Sequence, residues 1–100
     1  MAIDFEVIFT KKARRQVEEI YKYIALNLHN DPAAKKLMQK IDSTVRNLAK
    51  FPDLHPVSRM RKYRKCVIDG YLLFYKVDKK NKAVYVMAVY HALQNYGRLF

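Results

Sequence analysis

Lys65-Cys66-Val67-Ile68-Asp69-Gly70-Tyr71-Leu72-Leu73-Phe74-Tyr75-Lys76-Val77 places two apolar runs around an Asp-Gly pair. Both turn residues tolerate positive φ, which a two-residue turn between twisted strands demands, so the stretch reads as a β-hairpin. Lys65 to Ile68 forms one strand and Tyr71 to Val77 the next. A second polar turn, Asp78-Lys79-Lys80-Asn81-Lys82, leads into a third strand from Ala83 to Tyr90, in which Val84, Val86 and Ala88 oppose Tyr85, Met87 and Val89. The second half of the chain is therefore sheet.

Upstream the period changes. Residues 3 to 9 alternate, with Ile3, Phe5, Val7 and Phe9 on one face and Asp4 and Glu6 on the other, as in a half-buried strand. Thr10 stands at an N-cap position. Ala13, Val17, Ile20, Ile24 and Leu28 then recur at spacings of three and four, one apolar helical stripe. His29-Asn30-Asp31 interrupts the pattern, and Asp31-Pro32 signals a new helix start. Ala34, Leu37, Met38, Ile41, Val45 and Leu48 form the stripe of this second helix, which Phe51-Pro52 ends. Residues 53 to 60 have no period and read as a loop. The element order is β-α-α-β-β-β, an α+β fold with a helical hairpin packed on one face of a small, largely antiparallel sheet.

The composition bounds what such a domain can be. One hundred residues leave room for a single core, so residues 1–100 are read as one domain, and a hydrophobic share of 51% excludes a disordered basic tail. No apolar run approaches a membrane span, and Met1-Ala2-Ile3-Asp4 is no basic-then-apolar leader, so a soluble cytoplasmic protein without a membrane partner is expected. One cysteine, Cys66, and three scattered histidines exclude a disulfide scaffold and a zinc finger; no metal or other cofactor is expected.

The net charge of +11 is unevenly placed. Residues 1 to 54 hold 10 basic and 7 acidic side chains; residues 55 to 100 hold 10 basic side chains against Asp69 and Asp78 alone. Six of the eight tyrosines share that second part, a concentration of cations and rings suited to a polyanionic partner. Its densest point is Arg59-Met60-Arg61-Lys62-Tyr63-Arg64-Lys65. Alternation puts Arg61, Tyr63 and Lys65 on one face and Lys62, Arg64 and Cys66 on the other, and both faces cannot be core. An exposed basic row binds phosphate oxygens, Arg through paired hydrogen bonds and Lys as a point charge, or else merely protects a solvated edge strand.

His91, Tyr96 and Arg98 form a second group at and beyond the last strand. Metal-independent RNA cleavage by a ribose 2′-OH needs a base, an acid and cations around the phosphate. Arg64, His91 and Tyr96 are the candidate catalytic groups, and Arg59, Arg61, Lys62, Lys65 and Arg98 the candidate nucleic-acid-binding groups. His29 and His55 fall in expected loops with no carboxylate or thiol at a suggestive spacing and are left out of any site.

The whole chain resembles the RelE/ParE superfamily of bacterial type II toxin-antitoxin toxins. The resemblance rests on Phe9-Thr10-Lys11-Lys12-Ala13, Ile20-Tyr21-Lys22-Tyr23-Ile24, Asp31-Pro32-Ala33-Ala34 and Leu48-Ala49-Lys50-Phe51-Pro52 in the first half. In the second it rests on Tyr63-Arg64-Lys65-Cys66-Val67, Gly70-Tyr71-Leu72-Leu73-Phe74-Tyr75 and Val84-Tyr85-Val86-Met87-Ala88-Val89-Tyr90-His91. It implies a toxin held inactive by a cognate acidic antitoxin. Members similar to RelE cut mRNA on the ribosome as endoribonucleases, which is the activity expected here, while those similar to ParE poison DNA gyrase without being enzymes. A third alternative is a basic nucleic-acid-binding module without toxicity. The arginine that relatives often carry near the Ala88 position, and their basic segment where Ala92-Leu93-Gln94-Asn95 stands, are absent from this chain.

Overall fold

A computed structural model describes residues 4–58 and 63–93. The hairpin is as expected: β2 (Arg64–Ile68) and β3 (Tyr71–Asp78) pair antiparallel across Asp69 and Gly70, whose φ values are 47° and 81°. β4 (Ala83–His91) pairs antiparallel with β3, and β1 (Glu6–Phe9) pairs parallel with β4, giving the sheet order β1-β4-β3-β2. The parallel pair requires a crossover, which the helical hairpin supplies. Phe5, Val7 and Phe9 pack on the core as their alternation predicts.

α1 (Lys11–Lys22) starts at Thr10, and its hydroxyl does two things. It accepts from the Ala13 N–H at 3.1 Å, capping the helix, and it lies 3.1 Å from the Val86 carbonyl and 3.3 Å from that of Met87. β1 ends opposite Val86, so among the described residues the next part of the β4 edge has no strand partner on that side. Side chains of the α1 region take over the ladder: Thr10 serves these carbonyls, and Gln16 Oε1 accepts from the Val89 N–H at 2.9 Å. Thr10→Ala removes both the cap and the strand contact and should cost about 1–2 kcal/mol in urea denaturation, while Thr10→Ser should recover most of it. Equal stability of Thr10→Ala and the parent would contradict this dual role.

The helical stripe holds through Ile24 and then departs from expectation. Residues Tyr23–Asn27 form a π-helical turn, closed by the Leu28 N–H on the Tyr23 carbonyl at 3.1 Å. Five residues per hydrogen-bonded turn rotate the face, so Leu28, expected in the core at i+4 from Ile24, is 55% exposed. His29 at φ 50° completes the reversal. α2 (Asp31–Lys50) is capped by Asn30, whose Oδ1 accepts from the Ala33 N–H, rather than by Asp31. Asp31 instead meets the Lys35 ammonium at 3.0 Å, which lowers its carboxyl below the usual range; the pair is exposed and contributes little to stability.

Ala13, Leu37, Ile41, Leu48, Cys66, Ile68, Leu73, Tyr75, Val84, Val86 and Val89 form the core between helices and sheet. Leu72, Phe74, Ala88 and Tyr90 form a smaller cluster on the other sheet face, joined by Tyr63. A β-bulge between Phe74 and Tyr75 overturns one expectation. Phe74 pairs with Ala88 but Tyr75 pairs with Val86, so Met87 is the extra residue. Ala88, expected beside Val84 and Val86, is thereby carried to the opposite face, and Val89 turns into the core.

Candidate functional site

Arg64 lies on the row of β2 that faces the helices, together with Cys66 and Ile68. Its guanidinium is committed to the segment after α2. Nη1 donates to the His55 carbonyl at 2.6 Å and reaches the Asp53 carbonyl at 3.5 Å, while Nη2 sits 3.1 Å from the Asp53 carboxylate. Lys79 meets the second oxygen of that carboxylate at 3.1 Å. Tyr75, directly across from Arg64, donates its hydroxyl to the Pro52 carbonyl at 3.0 Å and meets the His55 ring edge-on. Burial pushes the Tyr75 phenol above its ordinary value, against the opposing influence of the His55 backbone and of Arg64. Lys65 is on the other sheet face with Tyr63, and its backbone N–H donates to the Pro56 carbonyl. Arg59, Arg61, Lys62, Tyr96 and Arg98 lie outside the described residues.

His91 occupies the far end of the sheet. Because of the bulge it shares the helix-facing side with Val89, opposite Tyr71, whose ring it meets at 5.2 Å and 85°. The Leu93 N–H donates to its Nδ1 at 3.2 Å, so in this geometry Nδ1 is the acceptor nitrogen. Arg64 pairs with Tyr75 and His91 with Tyr71, four positions apart along β3. That is roughly 13 Å along the strand, with β3 itself between the two strands. The structure does not bring Arg64 and His91 to one phosphate.

It does bring His91 together with residues that composition and spacing do not single out. A cleft of about 560 Å³ opens between the first helix and the strand ends. Gln16, Glu19, Ile20 and Tyr23 line it from α1 and the π turn; Tyr71, Val89, Tyr90 and His91 line it from the sheet. Burial raises the Tyr71 phenol above its ordinary value, and the neighbouring Tyr23 adds to the effect. The sequence carries a signal for half of this site: Gln16, Glu19 or Ile20, and Tyr23 recur at helical spacing along one face. Its other half depends on the bulge.

Cys66 is 3% exposed, and burial raises its thiol pKa, which suits a packing residue rather than a nucleophile. Among the described residues no three histidine, cysteine or carboxylate side chains converge to hold a metal ion. Nor is any described helix long and apolar enough to cross a membrane.

Solved structures with the same fold include chains of toxin-antitoxin systems. A chain of the chromosomal ParDE system from P. aeruginosa superposes with a TM-score of 0.70 at 18% identity, over 87% of this chain and 95% of that one. A chain of the intact E. coli RelBE complex gives 0.64 at 15% identity, over 90% and 99%. A chain of the RelBE2 complex from Mycobacterium tuberculosis gives 0.63 at 18% identity, over 89% and 99%. No curated protein matches the sequence significantly. The profile of the ParE toxin of type II toxin-antitoxin systems, parDE, does match, and over residues 7–96. With nine-tenths of its length inside that match, the chain belongs to the ParE family of type II toxin-antitoxin toxins.

Proposed function

We propose that this toxin arrests growth by binding a protein, DNA gyrase, and that it does not cut mRNA. The observation that supports this most is the separation of two of its candidate RNA-cleaving groups, Arg64 and His91. Arg64 is spent on Asp53 and the His55 carbonyl, and His91 stands about four strand positions away. Cleavage at a phosphate needs its cation and its proton-transfer group on the same few ångströms. The ParE match points the same way. A cognate acidic antitoxin, drawn to a chain of net charge +11, neutralises the toxin in its resting state.

Inducing the chain alone and together with its cognate antitoxin tests the toxin reading, and two further measurements test the target. Gyrase-dependent double-strand breaks with intact mRNA are expected. Cut mRNA ends on stalled ribosomes without DNA breakage would replace the gyrase reading with the RelE-like one. Continued growth on induction of the chain alone would remove both.

A further inference from the structure

Glu19 is an acid in a basic protein. Its helix carries Lys11, Lys12, Arg14, Arg15 and Lys22, and Arg15 and Lys22 stand four and three positions away, within ordinary pairing reach. Yet Glu19 forms no ion pair among the described residues. It borders the cleft, whose described lining residues are tyrosines, a histidine, a glutamine and aliphatic residues and include no lysine or arginine, with Lys12 lying 5.5 Å from the Tyr90 ring. The π turn supplies Tyr23, 54% exposed, and Tyr71 and His91 stand edge to face.

We infer that this cleft seats an arginine side chain presented by a polypeptide partner. The guanidinium plane stacks on tyrosine faces while its paired N–H groups meet the Glu19 carboxylate, a combination that the compact ammonium of lysine cannot reproduce. A nucleotide is the less favoured occupant, because its phosphate would meet the one carboxylate of the cleft, Glu19, while Lys12, a described cation beside the lining, lies 5.5 Å from the Tyr90 ring. The volume falls in the range of ligand pockets and holds a side chain with its flanking residues. The inference rests on the reading that this toxin acts through protein contacts.

The test is binding of N-acetyl-arginine amide to the full chain, followed through backbone amide shifts in NMR. Shifts should localise to Tyr23, Tyr71, Val89 and His91. Glu19→Gln should weaken the binding about tenfold or more, and Tyr23→Ala severalfold. Both positions are exposed, and unchanged circular dichroism confirms that each variant is folded. N-acetyl-lysine amide should bind more weakly than the arginine probe, and guanosine 5′-monophosphate should leave these amides unmoved. Equal binding by the lysine probe, equal binding to Glu19→Gln, shifts spread elsewhere, or a guanosine response at these amides would each overturn the inference. Because the readout is binding to the isolated chain, it can succeed or fail independently of how cells die.

Discussion

Tyr75→Ala should be the most damaging single change in the described structure, lowering stability by about 3–5 kcal/mol. Tyr75 is fully buried, the largest side chain that is, and it packs in the cluster that ties α2 residues Leu37, Ile41 and Leu48 to Leu73 and Val86 of the sheet. It also sits at the bulge, where a cavity would loosen the register that turns Val89 inward. A domain of this size has roughly 5–15 kcal/mol in total, so the loss would consume much of its margin. Tyr75→Phe isolates the hydroxyl. It keeps the ring but leaves the Pro52 carbonyl without its donor, for a cost of about 1 kcal/mol. Denaturant melts of both variants separate the two contributions. A Tyr75→Ala protein within 1 kcal/mol of the parent would contradict the packing described.

The elements that local chemistry controls are legible in the amino-acid sequence. The Asp69-Gly70 turn, the apolar stripe of α2 and the alternation of β1 each follow from residues within a few positions of one another. What is not legible is where a regular period breaks. The π turn at Tyr23 adds a residue per turn without any glycine or proline to mark it, and it turns Leu28 outward. The bulge at Met87 sits in an unbroken apolar strand, Val84 to Tyr90, in which either face satisfies burial, so nothing local decides where alternation skips. That one skip decides whether His91 faces the helices. The charge cluster is legible as composition but not as geometry: the partner of Arg64, Asp53, lies eleven residues away in a segment without a period. Glu19 reads as one more solvated acid on α1, and only the strand ends opposite give it a site.

Arg64 carries the second large effect, and its variant decides between two roles for the same cation. With a quarter of its side chain exposed, it satisfies the His55 carbonyl and pairs with an Asp53 carboxylate that is also held by Lys79. Arg64→Ala leaves the carbonyl without its short hydrogen bond and the carboxylate with only an exposed lysine. Charge-assisted bonds of this kind contribute about 1.5–3 kcal/mol, so Tm should fall by roughly 10 °C. Lys79→Ala, which removes the exposed half of the same network, should cost less than about 1 kcal/mol. A double-mutant cycle with Asp53→Ala should return a coupling of about 0.5–3 kcal/mol if the two residues act through each other. A phosphate-binding arginine would behave otherwise. Its loss would spare stability and remove about 0.7 from the log-log salt slope of single-stranded RNA binding. Since Asp53 already neutralises this guanidinium, the slope should stay as it is. A stable Arg64→Ala protein with a shallower slope would return Arg64 to the phosphate-binding role that the sequence suggests.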